Sequence, residues 1–183
     1  MFKAFLAAIV GAVIAFGWSS VSWMALPFHE QSLNGFDDEA AVAEIIRTHV
    51  SEPGIYILPG DKSMEPEAKM KAIADGPFLF ASIRPGASEG ANMTTAIIRG
   101  FTATLVSGIL LAILLGAVAP RLNYIGRVFY VIVIAVFVAL VGVYPNQIWW
   151  EFSTGHTLWG MLDVVIGWGL AGLVMGGMIN GKS

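Results

Sequence analysis

Two charged residues within apolar stretches of this chain are the first candidates for chemistry. Asp163 lies six residues after Thr157, where one apolar run begins, and Arg99 lies near the start of another, 96–118. Charges inside a hydrocarbon layer are unfavourable unless they are paired. At 1.5 Å per residue the two lie about 9 Å and about 5–6 Å deep from the same side, so we predict an Asp163–Arg99 pair. It would either fix helix register or relay protons or ions, and His156 and the serines of the first helix are the alternative partners for the carboxylate.

Two histidines could serve a metal or a haem. His29 is followed directly by Glu30, and His156 precedes Asp163 by two helical turns on the same face. Imidazole and carboxylate are ligands that transition metals accept, and two histidines could act as axial haem ligands. The spacing is not diagnostic, and interfacial histidines without a ligand are the simpler interpretation. We therefore predict no catalytic residue and no cofactor.

Glycines form a face on the run that carries Asp163. Gly172 and Gly176 make a GxxxG pair, and Gly169 extends the same face. Small residues at this spacing let helix backbones approach closely in membranes. We predict close packing here, either within the chain's own helices or against a partner.

Composition places these residues in a membrane protein. Of the 183 residues, 56% are hydrophobic and 13% are charged, whereas soluble domains have about 45–50% and about 25%. There are no cysteines, which excludes disulfides and thiolate chemistry. No long basic run indicates nucleic-acid binding.

The chain predicts a mainly α integral membrane protein, a four-helix transmembrane bundle with a small α+β extracytoplasmic insertion between helices 1 and 2. A span needs about 20 apolar residues. Because the first run continues through Trp23 to Leu26, we interpret it as an uncleaved anchor. The segments are 1–28 (transmembrane helix 1), 29–95 (the α+β region) and 96–183, which holds helices 2–4 at 96–118, 124–144 and 157–180.

The region 29–95 carries 11 of the 13 acidic residues. Asp37 is predicted to cap a helix that ends near Ser51. The apolar face of this helix includes Ile45. Further predicted elements are strands at Ile55–Leu58 and Phe78–Ile83, in either parallel or antiparallel order, and a helix at Pro66–Ala74. Because so small a unit buries little core, we expect it to pack against the helix ends or against a partner.

Two strings carry a resemblance. WSSVSWMALPFH and PGIYILPG, within residues 18–60, resemble those of an uncharacterised group of small bacterial integral membrane proteins. The resemblance implies a bacterial membrane location and transfers no activity and no functional residue.

Basic residues and tryptophans predict the orientation. Lys3, Arg121, Arg127 and Lys182 flank the spans on one side, and the loop 145–156 on the other has neither lysine nor arginine. The positive-inside rule predicts that both termini are cytoplasmic and that residues 29–95 are periplasmic. The protein itself is predicted to lie in the bacterial inner membrane. The predicted interfacial anchors are Trp18, Trp23, Trp149, Trp150 and Trp159.

Three functions remain open at this point. The leading hypothesis is a non-enzymatic accessory, assembly or sensing component that acts through its extracytoplasmic region and its glycine-rich helix face. The alternative is a small-solute or ion or proton carrier using Asp163 and Arg99. The third is a metal-binding or haem-binding redox component using His29 and His156. The expected partners are the lipid bilayer and a membrane protein or a second copy of this chain, with no nucleic acid.

Overall fold

A computed structural model describes residues 2–88 and 92–180. The described residues form two compact units, 2–33 together with 92–180, and 34–88. The elements are α1 (Phe2–Ala25), α2 (Glu39–His49), β1 (Gly54–Leu58), α3 (Pro66–Asp75), β2 (Leu79–Ile83), α4 (Met93–Val118), α5 (Tyr124–Val138), α6 (Pro145–Trp150) and α7 (Thr154–Met178). Residues 29–33 thus belong with the long helices, whereas the sequence assigns them to the insertion.

The first unit, here called the helical unit, is built around α7. This helix packs against α1 on one side and α5 on the other, and α4 packs against α1. Four helical segments in the described residues are long and apolar enough to cross a membrane: Phe2–Ala25, Met93–Arg121, Tyr124–Trp150 and Thr154–Met178. The chain is therefore mostly helical with four helices of spanning length and one two-stranded sheet, as the sequence predicts.

Small residues bring the helices together. A Cβ on Gly172 would lie 2.9 Å from Val131 Cγ1 of α5. One on Gly176 would lie 3.2 Å from Val128 Cγ2, whereas Gly169 has ordinary clearance. The GxxxG face of α7 is thus in contact with α5 of the same chain, where dispersion contacts at short range stabilise the pair.

The third long helix extends further than the sequence predicts. A π-turn at Ala139–Val143 leads directly into α6, so Tyr124–Trp150 is one continuous segment. Pro145 cannot donate to the preceding turn, and the wider π geometry accommodates it. Glu151, in the left-handed region at φ 58°, ends the helix. Nine of the twelve residues in the predicted loop 145–156 are therefore helical, six in α6 and three at the start of α7.

The second unit, here called the outer unit, contains α2, α3 and the sheet. β1 and β2 pair antiparallel, from Gly54 opposite Ile83 to Leu58 opposite Leu79, which decides between the two predicted orders. Asp38, one residue beyond the predicted cap, accepts from the backbone N–H of Ala41 at 2.9 Å. No residue among 34–88 is buried.

A close approach of α4 to the backbone of α1 gives a stability prediction. A Cβ on Gly108 of α4 would lie 2.8 Å from the Ala8 backbone oxygen of α1, whereas one on Gly116 of the same helix would meet nothing within 4 Å. Because backbone cannot move aside locally, Gly108→Ala should destabilise the protein by about 1–3 kcal/mol. Thermal unfolding in detergent measures the change. Gly116→Ala is the control and should leave the melting temperature unchanged or slightly raised, and equal effects of the two changes would contradict this helix contact.

Candidate functional site

The candidate site is centred on Asp163 of α7. Ser153 caps this helix by accepting from the backbone N–H of His156 at 3.3 Å, so α7 begins at Thr154 and not at the predicted Thr157. Asp163 therefore lies about 13 Å from the helix start at 1.5 Å per residue, deeper than the sequence suggests.

Three side chains donate to the Asp163 carboxylate. Oδ1 accepts from Trp18 Nε1 at 3.2 Å and from Ser22 Oγ at 2.6 Å, and Oδ2 accepts from His29 Nε2 at 2.7 Å. Trp18 and Ser22 are four residues apart and so share one face of α1. We call these four residues the Asp163 network.

Local structure explains how each donor arrives. Gly167, one turn after Asp163, leaves room for the indole, since a Cβ there would lie 3.2 Å from Trp18 Cδ1. Beyond α1 the chain folds back through a short 3₁₀ turn at Glu30–Ser32, with Ser32 N–H donating to the His29 oxygen at 3.0 Å. This turn carries His29 onto α7.

His29 is held in one orientation. It is 2% exposed, and its ring stacks on Trp23 with the centroids 3.8 Å apart and the planes at 9°. An ionised carboxylate can only accept, so Nε2 carries the hydrogen toward Asp163. Nδ1 is buried and has no hydrogen-bond partner in the described part of the chain.

The same contacts argue against a nucleophilic serine. In a Ser–His–Asp relay the serine and the carboxylate occupy different nitrogens of the imidazole. Here Ser22 Oγ lies 3.2 Å from His29 Nε2, the nitrogen that Asp163 also contacts. Ser22 gives its hydrogen to Asp163 directly, so the histidine does not activate the hydroxyl.

A second set of contacts fixes the turn. Ser32 Oγ lies 2.7 Å from the His29 carbonyl oxygen and 3.2 Å from His156 Nδ1. Because a carbonyl only accepts, Ser32 donates to it, and His156 then donates to Ser32. Phe28 stacks on Trp159 of α7 with the centroids 4.0 Å apart. The turn is thereby anchored to α7 by polar and aromatic contacts together.

The predicted Asp163–Arg99 pair is not formed. Arg99 is exposed on α4, and no ion pair within 2–88 and 92–180 joins it to Asp163. Both α4 and α7 begin three residues earlier than predicted, so the estimated depths of Arg99 and Asp163 stay close. The pair is absent because α4 packs on α1, and α1 with its following turn supplies the donors to Asp163. The serines of the first helix, named as alternative partners, do contribute through Ser22, whereas His156 bonds to Ser32.

The candidate metal or haem ligands are not gathered into one site. His29 contacts Asp163, His156 contacts Ser32, and Glu30 is exposed. Among the described residues no group of three or more His, Cys, Asp or Glu side chains has a geometry that could hold a metal ion. The one uncommitted nitrogen of His29 is enclosed.

The predicted tryptophan anchors divide into two sets. Trp18, Trp23 and Trp159 face the network and its turn through the contacts given above. Trp149 is 69% exposed and Trp150 is 37% exposed, both on α6. The inward role of Trp18 could have been found by noting that it lies four residues before Ser22, opposite a glycine helix face.

Three glycine strings have the spacing of enzyme motifs. GWGLAG at 167–172 has the letters of a dinucleotide-binding loop and GGMINGKS at 176–183 those of a P-loop. Both motifs need a loop that opens a helix, but the first lies inside α7 and the second begins there and runs into residues outside the described part. GASEG at 86–90 has the letters of a nucleophile elbow and also runs into residues that are not described.

Comparison with protein-family models, with curated proteins and with solved structures gave no match.

The network predicts strong coupling between His29 and Asp163. Removing either partner of a short buried contact leaves the other without its hydrogen bond, so Asp163→Ala and His29→Ala should each destabilise the protein. Their double variant should lose less than the sum, with a coupling energy of about 0.5–3 kcal/mol. Thermal unfolding in detergent measures the cycle.

The matched control cycle combines Asp163→Ala with Arg99→Ala. Since these residues make no contact, their effects should add to within about 0.3–0.5 kcal/mol. Coupling in the Arg99 cycle with additivity in the His29 cycle would refute the assignment.

Proposed function

We propose that this chain is a small multi-pass protein of the bacterial inner membrane that acts without catalysis. It serves as an accessory, assembly or sensing component whose outer unit binds a partner protein in the periplasm.

The surface of the helical unit supports membrane insertion. Large apolar side chains are exposed all along the long helices, for example Val13 at 53%, Ile113 at 64% and Phe137 at 62%. A soluble monomer rarely exposes contiguous apolar surface on this scale, whereas lipid tails solvate it.

The orientation is inferred from the basic residues. Arg127 at the start of α5 donates through Nε to the Gly176 oxygen near the end of α7 at 2.7 Å, so these two helix ends meet. Lys3 and Arg121 belong to the same predicted side, and Lys182 lies outside the described residues. Under the positive-inside rule this side is cytoplasmic, and the segment 29–95 is periplasmic.

The outer unit carries the proposal. None of its described residues is buried, so its apolar side chains have no core of their own. Ile45 of α2 is 60% exposed and Phe36 is 64% exposed. Both line a groove of about 500 Å³ between α2 and β2, with Val42, Ile46 and Leu79 among its other walls. An apolar groove on a unit without a core is the kind of surface that a protein partner covers.

The enzymatic interpretation has less support, because the Ser22 hydroxyl and the His29 Nε2–H are both committed to Asp163.

A carrier of small solutes, ions or protons is the second candidate function. The observation that favours it is a cavity of about 300 Å³ that has Asp163 in its wall. In this carrier hypothesis Asp163 acts without Arg99.

Because the chain has no cysteine, single cysteines can test the proposal with a membrane-impermeant maleimide. In cells, Thr48→Cys on α2, which does not line the groove, should label from the periplasm, and Ile45→Cys should label several-fold more slowly because the partner covers it. In the purified protein both should label at the same rate, since both positions are exposed in the structure.

Three results would contradict the proposal. Equal labelling of both positions in cells would mean that nothing covers the apolar face of α2. Labelling of Thr48→Cys only after lysis would put the outer unit in the cytoplasm. Protection of Ile45→Cys in pure lipid vesicles would mean that the bilayer, and not a protein, covers it.

A further inference from the structure

A cavity of about 300 Å³ lies between α1, α4 and α7, beside the Asp163 network. Its walls include Ser19 and Trp23 of α1, Thr104 of α4, and Asp163 and Trp168 of α7. The volume is at the small end of the range for ligand sites. It combines a carboxylate with aromatic walls.

The donors to Asp163 include no permanently charged group. Trp18 and Ser22 are neutral donors, and His29 reaches the carboxylate through Nε2. No lysine or arginine pairs with the carboxylate in the part of the chain that the structure describes. The carboxylate therefore has no lysine or arginine beside it in an apolar setting, where a cationic ligand would be favoured.

The carboxylate retains capacity for one more donor. Each carboxylate oxygen can accept about two hydrogen bonds. Oδ1 accepts two, from Trp18 and Ser22, but Oδ2 accepts only from His29. The Asp163 side chain is 14% exposed, so it is reachable from the cavity that it lines.

The remaining walls suit an organic ammonium. The indole faces of tryptophan attract ammonium groups, most strongly where water is excluded. Thr104 donates its hydroxyl hydrogen to the Gly100 oxygen at 3.0 Å and so offers only lone pairs to a ligand. From these contacts we propose that the cavity binds a primary alkylammonium group, supplied by the headgroup of an aminophospholipid or by a free amine. The site belongs to the helical unit, so its test is independent of the partner proposed for the outer unit.

The test uses the full chain in nanodiscs of phosphatidylglycerol, which lack amines, and titrates hexylammonium by calorimetry. Saturable binding is expected, and hexanol, which has the same tail without the charge, should not bind. Trp168→Leu, which leaves the Asp163 network intact, should weaken binding about tenfold through the lost cation–π contact. Asp163→Asn should abolish it, and Thr104→Val should weaken it.

Trp149→Leu and Glu151→Gln, both outside the cavity, are the matched controls and should bind like the unmodified chain. A second arm uses native mass spectrometry from nanodiscs that contain phosphatidylethanolamine. Retention of that lipid, lost in Trp168→Leu, assigns the ammonium to a headgroup, and hexylammonium binding without lipid retention assigns it to a free amine. Equal binding of hexanol, unchanged binding in the Trp168 and Thr104 variants, or displacement by sodium at equal concentration would overturn the proposal.

Discussion

The arrangement of the helical unit depends on one unfavourable charge. Asp163 lies inside an apolar helix, where a carboxylate without donors would be strongly destabilising. Water cannot supply those donors freely, so the chain must. Trp18, Ser22 and His29 do so from α1 and from the turn that follows it. Satisfying one carboxylate therefore fixes how α1 and α7 meet and where the chain goes after α1.

The glycine pattern and the network act together. Gly167 makes room for Trp18 on one side of α7, and Gly172 and Gly176 admit α5 on the other. Without the first approach the indole could not reach Asp163. Without the second, α7 would lack the packing that keeps it between its two neighbours. The turn carrying His29 ends at Leu33, the last residue of the helical unit before the chain enters the outer unit.

The sequence predicts much of this fold because its signals are local. Apolar runs of spanning length, the Pro66 helix start and the two short strands are each visible in a few consecutive residues. The continuation through Pro145 is missed because a proline normally ends a helix, and a π-turn is not visible in composition. Asp163 is found because a lone charge in an apolar run stands out. The partner of Asp163 is not found from the sequence, because pairing by charge type favours Arg99. His29 reaches Asp163 only through a reversal of the chain that no short pattern encodes.

The structure pairs Asp163 with His29 through Nε2. Solid-state NMR in lipid bilayers can observe this contact directly, by dipolar recoupling between ¹³C-labelled aspartate carboxyls and ¹⁵N-labelled histidine. The chain has three histidines, so His49→Gln with His156→Gln leaves His29 alone, and Asp163→Asn assigns the carboxyl signal. The structure predicts strong dephasing of the Asp163 carboxyl by the His29 Nε2 nitrogen in that variant. No dephasing from His29, with dephasing instead from ¹⁵N-labelled arginine, would show that the charge is paired as Asp163–Arg99 and would contradict the network.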